Sequence, residues 1–477
     1  MGIVNRVVKN TGILFLFNVL SKFFGFLYVM YMARYLGIRG FGIISFSLAF
    51  TGMFSIFLDM GTYSLMIREV ARNKSLTEKY VGNSISIRFV LSILTFLLMS
   101  GCIFSMSYSI ETTVIVYIFF IYSIFSAYNN IFYSVYQAHE KMTYFGLGSS
   151  MGSFLILLGT ILGIYSNKSL YYFAYVFLCS NIVVFIYNLL VTNLKFTKIK
   201  LDADFSFWRD FLKEAWPFAL SGVFVTIYFW IDSVMISYFI DETSVGLYNA
   251  AYRLVYVLLF IPAVYFSTIY PILSRLYKNS DIVKTIYGRS LKYFAILGML
   301  MGTIITLSSE KIIYLVYGSE FLESAGSLKI LIWATSFSFL AHSTLYTLNS
   351  INKQIIYTKI TAISMFLNVI LNILIIPKYG YIGASLTTLL TEFLGFFIMF
   401  LYLKNHFNEK FYEYIWFLRL TVVTIISTGI YGVLMSKIGI FEVSIVVFTM
   451  AYMLGIITLV FDNKDIELLN ELSGVKK

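Results

Sequence analysis

The residues with the clearest potential for chemistry are charged side chains that interrupt long apolar stretches of the sequence. Lys22 lies in the middle of the first stretch, and Asn18 precedes it by one helical turn. Arg253, Asp232 and Glu392 lie within later stretches. An ionisable group is costly to place in hydrocarbon, so such a residue is a candidate to line a functional cavity. The two cations could bind an anion, with Asp232 modulating Arg253, and Glu392 could bind a proton or Na+.

The same residues also have structural interpretations. Lys22 could contact a neighbouring helix, or it could pair with Glu392. Asp232 and Arg253 could form an ion pair that holds two helices together, because buried charges usually need partners. From the sequence, both kinds of role stay open for each residue.

Two further arginines, Arg34 and Arg88, lie nearer the ends of their apolar stretches. We include them as candidates for a binding cavity, although arginine at such a depth more often anchors a helix at the membrane interface. Asp59 ends the second stretch, and we expect it to cap a helix or to pair with Arg68 or Arg72.

The remaining polar residues within apolar stretches predict structure rather than chemistry. His342, Asn368 and Asn372 are expected to form hydrogen bonds between helices. Cys102 and Cys179 have the spacing of neither a disulfide framework nor a metal site. The sequence therefore predicts no catalytic residue, no metal site and no cofactor.

The composition determines which class of protein must position these residues. Of 477 residues, 59% are hydrophobic and 12% are charged, whereas a soluble domain carries roughly 25% charged residues. The chain is also too apolar to be disordered. Its net charge of +11 is spread over short clusters between apolar runs, which is typical of membrane loops rather than of a nucleic-acid-binding face. We therefore expect an integral membrane protein that does not bind nucleic acid.

The apolar runs predict an all-α membrane protein with about fourteen transmembrane helices, since one crossing needs ~20 apolar residues. The predicted spans lie near 12–33, 41–60, 81–105, 113–136, 144–165, 170–193, 215–239, 246–272, 291–309, 328–350, 358–377, 381–403, 414–435 and 440–461. The longest connections, near 194–214 and 273–290, are basic and amphipathic and are expected to lie along the inner membrane surface. No connection is long enough for a catalytic domain, so we do not expect an enzyme.

The distribution of basic residues predicts the orientation of these spans. Of the 35 Lys and Arg residues, 26 fall on one set of alternate connections and 7 on the other. Basic residues accumulate on the cytoplasmic side, so we expect both termini there and a location in the cell membrane. Arg6 and Lys9 precede the first span, which we interpret as a retained helix rather than a signal peptide.

A weak internal repeat divides the spans into two halves. The segment from Val29 to Gly42 has a counterpart from Val234 to Gly246, about 204 residues on. An offset of six spans makes the halves enter the membrane in the same direction, and transport sites tend to lie between such repeats. We therefore predict an N-terminal lobe over 1–200, a C-terminal lobe over 201–410, and a hairpin of spans 13 and 14 with a tail over 411–477.

Four motifs in order resemble the polysaccharide exporter, or O-antigen flippase, family of the multidrug, oligosaccharidyl-lipid and polysaccharide exporter superfamily. They are Ala33-Arg34-Tyr35-Leu36-Gly37 with Phe41-Gly42, Asp59-Met60-Gly61 with Arg68-Glu69-Val70-Ala71-Arg72, Asp232 with Gly246-Leu247-Tyr248-Asn249-Ala250-Ala251-Tyr252-Arg253, and Asn368 and Asn372 with Ile376-Pro377-Lys378-Tyr379-Gly380 and Gly383-Ala384. The resemblance implies two six-helix lobes that form a V-shaped cavity. It also implies a flippase that moves a polyprenyl or dolichyl diphosphate sugar to the outer leaflet by alternating access.

With that substrate, Lys22 becomes a candidate phosphate contact and Arg253 a substrate or gating contact. The expected partners are the lipid-linked glycan, membrane lipids and a glycan polymerase or glycosyltransferases, and coupling to H+ or Na+ is left open. A cation-coupled drug antiporter and a peptidoglycan-precursor flippase of the same superfamily remain alternatives. A membrane-embedded enzyme and a structural scaffold are less favoured, the first because no long catalytic loop or acidic metal motif occurs in the sequence.

Overall fold

The structure is a computed structural model that describes residues 3–408, 414–462 and 465, without the side chains of 3–11 and of Ser221. The basic residues Arg6 and Lys9 that precede the first span, and most of the predicted tail, lie outside the described side chains. The helices are α1 (Ile3–Asp59), α2 (Thr62–Arg72), α3 (Thr77–Ser105), α4 (Ile110–Ala138), α5 (Met142–Tyr165), α6 (Leu170–Lys195), α7 (Phe205–Phe239), α8 (Glu242–Leu258), α9 (Phe260–Arg275), α10 (Ser280–Tyr317), α11 (Ser324–Ser350), α12 (Gln354–His406), α13 (Ile415–Ile438) and α14 (Phe441–Gly455), which continues as a π-helical turn over Ile456–Val460.

Twelve helical stretches of the described chain are long and apolar enough to cross a membrane. Two of them are too long for one crossing, because 57 residues in α1 and 53 in α12 extend about 85 and 80 Å at ~1.5 Å per residue. Each bends at a glycine with positive φ, Gly37 at 67° and Gly380 at 55°, a conformation that costs glycine little. If α1 and α12 each cross the ~30 Å hydrocarbon layer twice, the twelve stretches make fourteen crossings within the described residues, and the fold is that of an all-α membrane protein, as predicted.

Contacts group the described residues into two compact units. Unit 1 comprises Met1–Ala250, Val316–Phe321 and Val369–Ala384, and unit 2 comprises Ala251–Leu315, Leu322–Asn368 and Ser385–Lys477, each within the described ranges. This grouping is not a division into sequence halves, so the lobes over 1–200 and 201–410 stay a prediction.

Unit 1 is held together by apolar packing and by a buried polar ladder. Leu65 of α2, Val135 of α4 and Phe211 of α7 belong to one apolar cluster. On the neighbouring face of α4, Asn129 receives a hydrogen bond from Asn188 of α6 at 2.9 Å and donates one to Asn181 at 2.6 Å. Since buried amides are costly without partners, the ladder fixes the register of α4 against α6.

Unit 2 has its own aromatic core. Phe266 of α9 stacks on Tyr346 of α11 with ring centroids 4.6 Å apart. The C-terminal hairpin joins this core through Tyr452 of α14, whose hydroxyl donates to the carbonyl of Ile296 at 2.8 Å. Beyond the hairpin, the carboxylate of Asp465 accepts hydrogen bonds from buried Lys292 and from Tyr293. These contacts attach α14 to α10.

The connections expected as amphipathic loops are largely helical. The predicted loop 194–214 is interrupted by the start of α7 at Phe205, and 273–290 is reduced to four residues between α9 and α10. Asp204 caps α7 by accepting from the backbone N–H of Phe207 at 3.0 Å, and this bond together with Lys79 holds the pKa of Asp204 below its usual value. The connections are thus shorter than predicted, because the helices continue into them, and their position along the inner membrane surface stays a prediction.

The helix α2 was also missed, because its eleven residues are amphipathic and too polar for a span. Arg68 on α2 forms ion pairs with Glu69 and with Glu214 of α7. The hydrogen bond from Arg68 to Glu69, with further help from Glu214, raises the pKa of Arg68 above its usual value. The pairs connect α2 to the base of α7.

Candidate functional site

The first half of α1 presents the predicted polar pair on an exposed face. Phe17 packs against Gly146 of α5, and Phe24 lies on Phe154 of the same helix with ring centroids 5.4 Å apart. Asn18 and Lys22 lie on another side of α1, one turn apart, and both are exposed. Lys22 is about 15 Å from either end of its span by helix rise, so its cation is accessible at mid-membrane depth.

Asp232 lies in a buried hydrogen-bonded site within unit 1. Only 5% of the residue is exposed. Tyr248 of α8 donates to one carboxylate oxygen at 2.7 Å, and the amide nitrogen of Asn372 in α12 donates to the other at 2.6 Å. The interhelical hydrogen bond predicted for Asn372 is confirmed. Two neutral donors stabilise a carboxylate that is otherwise costly to bury.

Arg253 is half-buried on α8 and belongs to unit 2. Its neighbours Tyr252 and Tyr256 stack with ring centroids 6.0 Å apart. A guanidinium can bind phosphate through its planar fork, and aromatic rings can stack on sugars. The role of Arg253 in substrate binding stays a prediction.

Glu392 belongs to a polar cluster inside unit 2. Ser338 of α11 donates to its carboxylate at 2.5 Å, and the residue is half-buried. His342 bonds through Nδ1 to the carbonyl of Ser338 at 2.7 Å. We expected His342 to form a hydrogen bond with another helix. That expectation was wrong for the bond described here, because its acceptor is the carbonyl four residues earlier on the same helix. Asn368 lies fully buried on α12.

The interpretation of Arg88 as an interface anchor was wrong. Arg88 is 2% exposed, and its guanidinium forms an ion pair with Asp59 at the end of α1. Asp59 also accepts from the backbone N–H of Tyr63 at 3.2 Å, so the predicted capping role is confirmed. The predicted pairing of Asp59 with Arg68 or Arg72 was wrong, because Glu69 takes both of those arginines.

Arg34 differs from Arg88, since it is exposed. Its Nε donates to the carbonyl of Val316 at 2.8 Å, which ties α1 to the end of α10. The side chain is therefore accessible at the end of its span, and its role as a substrate contact stays a prediction.

Unit 2 also contains an apolar cavity of about 530 Å³ between α10, α11, α12 and the start of α13. Phe337, Phe393, Phe396 and Phe400 line it with Trp416. The sequence showed these rings only as abundant aromatic residues. Their convergence on one cavity supplies an apolar surface of the kind that a hydrocarbon chain requires.

The site residues predicted from the sequence did not include Tyr248 and Ser338. Both donate to predicted carboxylates, Asp232 and Glu392. Tyr248 lies inside the motif that opens α8 and could have been chosen on that ground. Ser338 has no such signal, because serine is common in transmembrane helices and no spacing relates it to Glu392.

Comparison with known proteins places this arrangement in a family. Residues 7–277, more than half of the chain, match the family model described as polysaccharide biosynthesis protein. The chain belongs to this family. A second model, MatE, matches residues 217–374. The resemblance to the polysaccharide exporters is thus confirmed, and the protein is a multi-pass membrane protein of a transporter superfamily.

Individual relatives and one solved structure agree with this assignment. The chain is 22% identical over 411 residues to the capsular polysaccharide biosynthesis protein CapF of Staphylococcus aureus, covering 84% of this chain and 100% of that protein. It is 26% identical to the probable low-salt glycan biosynthesis flippase Agl15 of Haloferax volcanii, over 43% of each chain. The inward closed conformation of the lipid II flippase MurJ superposes with a TM-score of 0.74 at 18% identity, covering 94% of this chain and 98% of MurJ. At that identity, MurJ shows a shared fold.

Proposed function

We propose that this member of the polysaccharide biosynthesis protein family flips a lipid-linked oligosaccharide from the cytoplasmic to the outer leaflet by alternating access. The observation that carries the proposal is the exposed cation of Lys22 at mid-span, next to exposed Asn18. A diphosphate-linked sugar cannot cross ~30 Å of hydrocarbon unaided, because isolated charges there cost many kcal/mol. A cation at mid-depth compensates the phosphate charge where that cost is greatest.

Two further features support the same substrate class. Arg253 and its stacked tyrosines offer a charged and aromatic surface for phosphate and sugar. The apolar cavity beside Phe393 and Trp416 offers a separate place for the lipid tail. A substrate with an anionic, polar head and a long hydrocarbon tail needs both kinds of surface. The relatives named for capsular polysaccharide biosynthesis and for glycan flipping are consistent with it.

The test is transport by protein reconstituted in liposomes with a fluorescent polyprenyl diphosphate sugar. We expect the wild type to move the probe between leaflets, and Lys22→Ala to slow it by roughly tenfold, the equivalent of losing about 1.4 kcal/mol of charge compensation. Lys22→Arg should retain most of the activity, because it keeps the charge. Lys168→Ala removes an exposed lysine from a connection and is the matched control. Wild-type transport in Lys22→Ala would remove this residue from the site.

We further propose that transport is coupled to H+ or Na+. Glu392 is one candidate for the ion site, as its position in the sequence suggests. Asp232 is the better-supported candidate, since its carboxylate is 5% exposed and is held by two neutral donors. Its proton or ion occupancy would change the charge of the buried site. If dissipating both gradients leaves transport unchanged, neither carboxylate has this role.

The finer assignments of location and partners follow from the same proposal. The protein would act in the cell membrane with both termini cytoplasmic, as the 26-to-7 division of basic residues favours. It would work as a transporter rather than an enzyme and would supply a glycan polymerase or glycosyltransferases. Protease accessibility of terminal tags on intact cells tests the orientation.

The MatE match makes cation-coupled drug export the second candidate. Such a carrier binds cationic substrates, which Lys22 and Arg253 would repel. Efflux of a cationic dye by the same liposomes, without movement of the diphosphate probe, would favour this alternative. Movement of a peptidoglycan precursor but not of other diphosphate sugars would favour the remaining alternative, a peptidoglycan-precursor flippase.

A further inference from the structure

The two halves of the predicted repeat contact each other through corresponding residues inside unit 1. A Cβ added to Gly42 on α1 would overlap the carbonyl oxygen of Glu242 at the start of α8. A Cβ added to Gly246 on α8 would overlap the carbonyl oxygen of Ile38 on α1. Gly42 and Gly246 are 204 residues apart in the sequence, and so are Ile38 and Glu242. The contact is therefore reciprocal, as at an interface with two-fold symmetry.

The same correspondence extends to the local backbone. Gly37 bends α1 with a φ of 67°, and the position 204 residues later, Asp241, separates α7 from α8. In each half the chain thus turns at the equivalent position. The residue that follows the turn, Ile38 in the first half and Glu242 in the second, has the carbonyl that faces the glycine of the other half.

Hydrogen bonds between the halves surround the glycine contacts. Thr112 at the start of α4 donates to the Glu242 carboxylate at 2.9 Å. Tyr108 donates to Ser237 of α7 at 2.9 Å. All of these groups lie at the end of the spans that the charge distribution predicts to be extracellular. Thr112 is fully buried and Ser237 is 5% exposed, so the helix ends are sealed against each other there.

The seam continues along α1 and α7 through one contact with a side chain and one with the backbone. A Cβ on Gly52 would meet the Trp230 side chain at 2.7 Å, and one on Gly61 would meet the Ala215 backbone. From Gly42 to its end at Asp59, α1 rises ~26 Å, close to the hydrocarbon thickness. Trp230 can rotate, whereas backbone atoms at the outer end cannot yield without moving a helix.

We propose that Gly42 and Gly246 are the closing contacts of the outer gate, and that the outer end seals only because both positions lack a side chain. The inference rests on the proposed transport function, since a carrier must open this seam to release a headgroup and close it again to reset. It assigns the gate to backbone contacts between equivalent residues of the two halves. A methyl group at either position holds the halves apart and favours the state open to the outside.

The test measures closure directly by thiol accessibility in right-side-out vesicles. The protein carries Cys102→Ala and Cys179→Ala, and Ser45→Cys as the reporter. Ser45 is 1% exposed and lies one turn inward from Gly42, so a membrane-impermeant maleimide added outside reaches it only when the seam is open. We expect Gly42→Ala to accelerate labelling by roughly tenfold or more, since overpacking at a rigid contact shifts equilibria by that order.

Comparisons among glycines separate gating from general damage. Gly246→Ala should behave like Gly42→Ala, and the double variant should label no faster than the more affected single variant, because both changes block one closure. Gly52→Ala should have a smaller effect, since Trp230 can move. Gly101→Ala on α3, where an added Cβ has no neighbour within 4 Å, is the matched control and should label like the parent.

Transport and labelling together decide the proposal. In the flipping assay, Gly42→Ala should be slowed by roughly tenfold while eluting as a monodisperse peak. The proposal is overturned if Gly42→Ala is labelled and transports at the parent rates, or if Gly101→Ala shows effects as large as those of Gly42→Ala. Should the glycine variants not fold, Thr112→Val is decisive: removing its bond to Glu242 should increase labelling several-fold, and an unchanged rate overturns the gate. Because labelling needs no substrate, failure of the proposed glycan substrate is distinguishable from failure of the gate.

Discussion

The buried ion pair between Arg88 and Asp59 allows a prediction whose size and asymmetry follow from the structure. Arg88 is 2% exposed and has one other acceptor nearby, the Thr62 hydroxyl at 3.4 Å. Asp59 is 20% exposed and has further donors in Thr62 and the Tyr63 backbone N–H, each at 3.2 Å. Asp59 should therefore tolerate the loss of Arg88 better than Arg88 tolerates the loss of Asp59.

Asp59→Asn removes the countercharge of a buried guanidinium, which should lower the free energy of unfolding by about 3–5 kcal/mol. Asparagine can still accept from Tyr63, so the cap of α2 is preserved. Arg88→Met leaves a carboxylate that keeps two donors and some contact with water, and it should cost about 1–3 kcal/mol. The double variant has no buried charge and should be more stable than Asp59→Asn alone, with a coupling of roughly 2 kcal/mol.

The measurement is SDS-induced unfolding of the four proteins in detergent micelles, followed by tryptophan fluorescence. Glu69→Gln makes the same chemical change as Asp59→Asn, but its partners Arg68 and Arg72 are 34% and 67% exposed, so it should cost less than about 1 kcal/mol. If the double variant is destabilised by the sum of the single changes, or if Arg88→Met costs more than Asp59→Asn, the account of this pair is refuted.

Three further outcomes are expected. Asp232→Asn should abolish the acceleration of flipping by an imposed Na+ or pH gradient but preserve the slow exchange without one; equal loss in both conditions contradicts ion coupling at this site. Asp465→Asn should lower the free energy of unfolding by roughly 3 kcal/mol, because buried Lys292 loses the closer and more buried of its two carboxylates, while Asp462→Asn, at a side chain 65% exposed, should cost less than about 1 kcal/mol. Burial, with smaller contributions from Lys74 and Lys141, lowers the pKa of His139 below 6.5. The unfolded state therefore takes up its proton first, and thermal stability should fall as the pH drops below about 6.5, less so in His139→Gln; identical pH profiles would exclude this contribution.

The number of spans could be predicted from the sequence because hydrophobicity acts locally. The runs at 12–33 and 41–60 are separated by the polar segment around Arg34 and Arg39, and that was enough to divide them, although the structure joins them into the single kinked helix α1. The helix α2 escaped the same reasoning. Its eleven residues are stabilised by tertiary contacts with α4 and α7, which no local window reports.

Partners distant in the sequence were only partly predictable. The rule that a buried charge needs a partner was applied to Asp232 and Arg253 and missed the pair of Arg88 with Asp59, because the rule does not choose among several opposite charges at similar depth. Arg68 was the nearer partner for Asp59 in the sequence, and Glu214 on α7 took it instead. Such choices depend on which helix faces which, and one sequence carries no information on that.

The grouping of residues into units follows from the sealed outer end. Unit 1 adds to the first half those parts of the second half that close on it. Phe41 contacts the rings of Tyr317 and Phe321, Arg34 binds the carbonyl of Val316, and Gly42 meets Glu242. A division by contacts thus reports the state of the gate, whereas the repeat reports the order of spans in the chain. If the proposed gate opens, these contacts break while the sequence repeat is unchanged. A grouping of residues by contacts should then agree more closely with the two halves of the sequence.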